Sequence, residues 1–156
     1  MTDLHPGSQA DASLEDKVQY LMDRQQVVDV LLRYASTIDT KDYVGLRATL
    51  TDDVHGNYGG AEVDGGDNLL AWVDSMTTTK TWQHHMLSVY HVDFVSSTEA
   101  KTLTYHTSHQ IDSEVPGSTS RIIARYKDTV RKENGVWRIS DKLMEIGWVD
   151  GFTAPG

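Results

Sequence analysis

The chain has no cysteine among its 156 residues, so disulfide bridges and cysteine-ligated zinc are excluded at the outset. Proline occurs three times and phenylalanine twice, leaving Tyr, Trp and aliphatic residues to build the core. Basic residues are also few: 14 Lys and Arg stand against 23 Asp and Glu, for a formal net charge of −9. A surface of that sign repels phosphate backbones and anionic headgroups, which sets nucleic acid and membrane aside as partners. No apolar run reaches the roughly 18 residues of a spanning helix. The opening MTDLHPGSQADAS has neither a basic nor an apolar stretch, so it is not a secretory signal, and a cytoplasmic location is expected. Residues 1–12 read as a flexible tail and residues 13–156 as a single domain able to bury a core.

What is present divides into two halves. Ser13 and Asp16 have the spacing of a capping box, with Asp in place of the usual Glu. Behind them Leu21, Val28, Leu31, Leu32, Ala35 and Ile38 recur at helical spacing and predict helix from about Leu14 to Asp39. Tyr43, Leu46 and Leu50 mark a second short helix, Asp52 to Tyr58 an extended piece, and Asn68 to Met76 a third helix beyond a glycine-punctuated loop. The second half is rich in Thr, Val, Ile, Tyr and Trp over 81–96, 99–113, 119–133 and 136–149. Ser96-Ser97, Pro116-Gly117 and Asn134-Gly135 separate these runs, and Asn-Gly is a strong hairpin signal. Helices followed by a long meander predict an α+β fold with the helices on one face of an antiparallel sheet.

Alternation indicates which side chains face the helices. Arg121, Arg125, Lys127 and Arg131 alternate with Ile122, Ala124, Tyr126 and Val130, so the even positions point inward. By the same logic Leu103, Tyr105, Thr107, His109 and Ile111 share the inner face of the preceding strand. In the last strand Trp137 and Ile139 fit one parity and Met144, Ile146 and Trp148 the other, which a bulge between Ser140 and Leu143 reconciles.

Asp39, Tyr34, Tyr58, His84 and His109 are polar residues placed where the pattern predicts interior. A histidine near neutral pKa moves protons at pH 7, and a neighbouring carboxylate orients it, so Asp39 with His84 is a candidate pair. Each also has a plainer reading: Asp39 as a helix terminator, the tyrosines as core residues with satisfied hydroxyls. His84 and His85 straddle both faces of their strand, and parity alone does not choose between them. Trp72, Trp82, Trp137 and Trp148 read as core or pocket lining. The sequence has no phosphate-binding loop, dinucleotide fingerprint or metalloprotease motif, and nothing in the spacing of His84, His109 and Asp39 singles out a metal. No cofactor and no metal are therefore expected.

Three segments, LRYASTIDTKDYVGLRATLTDDV, WQHHML and NGVWRIS, resemble the SnoaL-like branch of the NTF2-like superfamily, most nearly lyases of the scytalone dehydratase and bile-acid dehydratase types. The likeness runs from about Leu31 to Trp148. It implies a cone-shaped, curved antiparallel sheet wrapped around the N-terminal helices, an α+β barrel. The function implied is a cofactor-independent dehydratase, removing water from a small β-hydroxy carbonyl compound of polyketide or steroid type. The family's catalytic Asp and His fall on Asp39 and His84, a second histidine on His109, and its tyrosines on Tyr58 and Tyr34. His84 is then the base, Asp39 its support, Tyr58 and Tyr34 the carbonyl donors and His109 the acid at the departing hydroxyl. Tyr126, Trp82, Trp148 and Met86 are expected to line the substrate pocket. The chain departs from the scytalone dehydratase pattern at Ile38, where that family has tyrosine, and at Ala124 and Tyr126, where it has Ser and Asn. A ketosteroid-isomerase-like isomerase or polyketide cyclase would use the same base and donor; a non-catalytic binding or accessory subunit would use neither. The family also implies a homodimer or homotrimer.

Overall fold

The computed structural model describes residues 4–113 and 117–153. The capping box forms as its spacing predicts: Asp16 N–H donates to Ser13 Oγ (3.1 Å) and Ser13 N–H to the Asp16 carboxylate (3.3 Å). Helix α1 (Leu14–Thr40) starts there and ends at Lys41, whose left-handed φ of 55° lets its N–H return to Ile38 O. Val27, Val30, Leu31, Tyr34, Ala35 and Ile38 form its buried stripe, while Leu21 and Leu32, expected to join it, are exposed. Helix α2 (Tyr43–Ala48) follows, then β1 (Leu50–Tyr58), β2 (Ala61–Asp64) and helix α3 (Gly66–Thr77). Leu50 opens β1 rather than closing α2. Strands β3 (Lys80–Ser96), β4 (Glu99–Asp112), β5 (Ser118–Glu133) and β6 (Val136–Thr153) form the meander. Gly117 precedes β5; Pro116 lies outside the described residues, as do residues 1–3 and 154–156.

The six strands form one curved, open sheet in the order β2-β1-β6-β5-β4-β3. The sheet is antiparallel as expected at every pairing but one: β1 returns beside the last strand and runs parallel to β6. The barrel implied by the family likeness does not close, since β2 and β3 remain as edges. The core lies between the concave face and the helices, with Leu31, Leu46, Val54, Leu69, Val130 and Ile139 fully enclosed. No helix among the described residues is long and apolar enough to cross a membrane.

Cross-strand register corrects one parity. Tyr105 sits opposite Arg125 and Thr104 opposite Tyr126, and directly paired residues share a face. The inner face of β4 is therefore Thr102, Thr104, His106 and Ser108, all buried, and Leu103, Tyr105, Thr107, His109 and Ile111 point outward. The usual polarity is inverted on this strand, with hydroxyls and an imidazole inside and aromatic and aliphatic groups outside. On β6 the expected bulge is present: the register shifts at Ser140, so Ile139 and then Lys142 and Met144 face inward. A second irregularity at Gly147 turns Trp148 outward, where it is 59% exposed.

The segment expected as a flexible tail is folded back on the domain from Leu4 onward. Leu4 N–H donates to Phe94 O (3.0 Å), and a 3₁₀ turn, Pro6–Ser8, seats His5 between Tyr20 and Phe94. His5 Nε2 reaches Asp23 Oδ2 (3.1 Å), and Lys132 Nζ (2.6 Å) and Trp137 Nε1 (2.9 Å) both donate to Asp23 Oδ1. Burial pushes the Asp23 carboxyl up, but the Lys132, Trp137 and His5 hydrogen bonds outweigh it and hold it at about 2 against an ordinary 3.8. A carboxyl held below its unfolded value stabilises the fold above that value, and the contribution is lost as pH falls toward 2. Asp23→Ala is expected to lower the unfolding free energy by about 3 kcal/mol at neutral pH, because it strands a lysine and an indole N–H. Urea unfolding at neutral pH and at about pH 3 checks this: the difference between variant and wild type shrinks in acid.

Candidate functional site

The end of α1 meets edge strand β3. An edge strand presents unpaired N–H groups, and a helix end presents unpaired carbonyls. Gln83 Nε2 donates to Ile38 O (3.2 Å), and His85 N–H donates to Asp39 Oδ2 (2.9 Å). The other carboxylate oxygen accepts from His85 Nδ1 at 2.5 Å. Because a carboxylate only accepts, Nδ1 carries the proton, and in the neutral ring this leaves Nε2 as the acceptor. Burial pushes the Asp39 carboxyl up, but the side-chain and backbone hydrogen bonds from His85, together with its charge, bring it below the usual range.

His85 lines a cavity of about 130 Å³ between α1, α3 and the concave face of the sheet, with Asp39 behind it. Tyr34, Tyr58 and Tyr126 supply one side of that cavity, and His106 and Ser108 on β4 another. Ile38, Val73, Met76 and Met144 make the rest largely apolar. Tyr34 and Tyr58 share a hydroxyl–hydroxyl hydrogen bond of 2.6 Å, and Tyr58 stacks on Trp72 with ring centroids 4.4 Å apart. Burial pushes both phenols above their ordinary value, so both stay protonated and one O–H of the pair remains to donate. His106 is 2% exposed and stacked between His85 (5.1 Å) and Tyr126 (4.8 Å). Neither of its ring nitrogens has a hydrogen-bond partner among the described residues, nor does Ser108 Oγ. Burial, then the charges of His85 and Lys142, lower the His106 imidazole to about 3, so it is neutral at pH 7. Beneath the tyrosines lies the ion pair Lys142–Asp128, at 2.9 Å.

The structure brings Asp39, Tyr34, Tyr58 and Tyr126 of the expected site residues together around this cavity. His84 and His109 are corrected to the outer face. They pair across the β3–β4 ladder with rings 6.2 Å apart, and His109 in turn sits opposite outward Arg121. The partner of Asp39 is the adjacent His85, so the base expected at His84 and the acid expected at His109 stand on the far side of the sheet. The grouping of His84, His109 and Asp39 weighed as metal ligands is split in the same way. Trp82 and Met86 share the outer parity with His84, and Trp148 is turned out by the break at Gly147; none of them lines the cavity. His85 was left open by parity, and the register decides it. His106 and Ser108 were missed, although carrying the even inner parity of β5 across to its partner strand would have found them. Lys142 left no sequence signal, because a lone lysine on a strand reads as surface.

A buried imidazole without partners is a stability liability that can be read out. Below 6.5 the unfolded chain takes up a proton at this histidine while the folded one waits until about 3, so acidification across that window destabilises the fold. His106→Phe is expected to raise unfolding free energy by about 1 kcal/mol at neutral pH and to flatten the decline below it. Urea unfolding across that pH range checks both.

Comparison with known proteins follows this geometry. No curated protein matches the chain. Among solved structures, a candidate scytalone dehydratase from Novosphingobium aromaticivorans DSM 12444 superposes with a TM-score of 0.80 at 18% identity, covering 90% of this chain and 94% of that one. A type 2 hexachlorocyclohexane dehydrochlorinase (LinA) gives 0.80 at 17% identity, over 90% and 99% of the two chains. The type 3 LinA of Novosphingobium barchaimii LL02 gives 0.78 at 17%, over 89% and 99%. At such identities the likeness establishes a shared fold, the NTF2-like arrangement of three helices against a curved, open sheet. The family model of the SnoaL-like domain matches residues 19–142, which takes in most of α1 and both members of the Asp39–His85 pair, and the chain belongs to the SnoaL-like domain family.

Proposed function

We propose that this protein is a cofactor-independent lyase that takes a proton from the carbon beside a carbonyl and expels water from a small β-hydroxy ketone. The observation that carries the reading is the Asp39–His85 pair at a cavity also lined by the Tyr34–Tyr58 hydroxyl pair. A carboxylate at the C-terminal turn of a helix opposes the helix dipole, so Asp39 is poorly placed for stability alone. It is well placed to hold His85 in the tautomer whose Nε2 accepts a proton.

In this mechanism His85 Nε2 removes the proton, and the C–H electrons become an enolate whose oxygen accepts from the free tyrosine O–H. The enolate reforms the carbonyl, the new C=C bond forms, and the β-hydroxyl departs. It takes the proton from His85 Nε2 and leaves as water, which resets the base. Neighbours named as a dehydrochlorinase and a candidate scytalone dehydratase point to eliminations of the same form. The size of the cavity suits one ring; an engineered apolar cavity of about 150 Å³ in another protein takes benzene.

A second reading, isomerisation, is favoured by the placement of the histidines: His109 is on the outer face and His106 is held neutral, so among the described residues His85 is the one histidine left to carry a proton at the cavity. Returning the proton to a different carbon needs no further acid. Product mass separates the two, since elimination loses one water and isomerisation loses nothing.

The test is a panel of small cyclic β-hydroxy ketones in deuterated water, followed by NMR for deuterium beside the carbonyl and for enone. His85→Ala is expected to lower the rate about 10²–10⁴-fold and His84→Ala to change it only about two-fold. A dead His84→Ala beside an active His85→Ala would overturn the assignment. Tyr58→Phe is expected to lower kcat about 10²-fold while KM changes little, because its hydroxyl acts mainly on the enolate.

A further inference from the structure

Lys142 is 1% exposed and Asp128 is 2% exposed, and the proposed mechanism uses neither. Their contact at 2.9 Å occupies one ammonium hydrogen. The same nitrogen lies 3.6 Å from the ring centroid of Tyr126 and 4.3 Å from that of Tyr34. Both distances are within the range of a cation–π contact, which strengthens when water is excluded. Tyr34 shares a hydroxyl–hydroxyl hydrogen bond with Tyr58 at 2.6 Å, and both line the cavity. A continuous path therefore runs from a buried positive charge, through a phenol ring, to the hydroxyl pair facing the ligand space.

We infer that Lys142 tunes this cavity for oxyanions: acting through Tyr34 and Tyr126, it favours a planar enolate or phenolate over the neutral conjugate acid. The inference rests on the enolate reading of the site and adds to it a residue that touches no substrate. The surrounding groups fit this assignment. The Lys142 charge is among the causes that keep His106 neutral, so its field reaches the cavity wall. Asp128 works against it: burial chiefly pushes Tyr34, Tyr58 and Tyr126 up, and the Asp128 carboxylate adds to that push. Asp39 is the other acid near the cavity, and it is engaged by His85. Among the described residues no Lys or Arg side chain lines the cavity itself, so an oxyanion there would depend on hydroxyl donors polarised from behind. Lys142 is therefore a positioning residue, and its removal alters what the tyrosines can hold rather than how much room there is.

The probe is 4-nitrophenol, a planar single-ring phenol whose ionised fraction is read from its absorbance while bound to the full chain. In the wild type the bound probe is expected to ionise at lower pH than in water. Lys142→Met is expected to raise that midpoint by about one pH unit, a tenfold loss of preference for the phenolate. Lys142→Arg retains the wild-type midpoint, and Asp128→Asn moves it the opposite way by removing the opposing charge. A purely structural role would not shift the midpoint in opposite directions for the two partners. If Lys142→Met leaves Asp128 stranded and fails to fold, the double variant Lys142→Met with Asp128→Asn removes both charges and is expected to raise the midpoint as well. Absence of probe binding, or one midpoint shared by wild type, the foldable lysine variant and Asp128→Asn, would overturn the inference. The readout needs no turnover. A shifted midpoint without proton exchange in ketones would sink the lyase reading alone, and exchange without a shift would sink the role of Lys142 alone.

Discussion

One carboxylate joins the last turn of the long helix to the edge of the sheet, and the site depends on it. Asp39 accepts from both the backbone and the ring of His85, while Gln83 two residues earlier accepts the duty of covering Ile38 O. Those contacts satisfy a free helix carbonyl and a free edge N–H with groups that would otherwise need water. They also set the direction of His85, because a ring held at Nδ1 while its own N–H is held by the same carboxylate has little rotational freedom left. The arrangement that protects the sheet edge is the one that orients His85, the proposed base.

The cavity is built at the expense of ordinary core economy. Strand β4 turns Thr102, Thr104, His106 and Ser108 inward and Leu103, Tyr105 and Ile111 outward. Several of those inward atoms have no partner among the described residues, and an ion pair lies close beneath them. Unpartnered buried polar atoms and buried ion pairs each destabilise relative to a packed apolar core. They are tolerated because the rest of the domain is conventional: α1 lays a continuous stripe from Val27 to Ile38 on the sheet, and Trp137, Ile139 and Phe94 close the opposite end.

The exposed aromatic and aliphatic side chains on the convex face follow from the same inversion. Trp82, Met86, Tyr105, Ile123 and Trp148 stand there beside His84, His109 and the Arg121–Asp150 pair. Trp82, Met86 and Trp148 were expected to line the pocket, and a sheet with two faces offers no way to tell inner from outer by composition when the inner face is polar.

The order and type of the long elements were legible in the linear pattern, because helical spacing, the Ser13 cap and the Asn134-Gly135 hairpin are local signals carried by neighbouring residues, whereas the short strand β2 lay hidden in what read as a glycine-punctuated loop. The family likeness likewise placed Asp39, Tyr34 and Tyr58 in the site, since these sit at element ends whose spacing along the chain is short. Which histidine faces Asp39 was decided by tertiary structure. A one-residue change of register moves a side chain through the sheet, and the register of β3 is set by its pairing with β4 and by the clamp to α1 rather than by its own residues. The bulges at Ser140 and Gly147 act in the same way, sending Lys142 into the core and Trp148 out of it. Sequence determined the elements because their causes are local; the structure chose the faces, and with them the chemistry, because a face exists only once strands are paired.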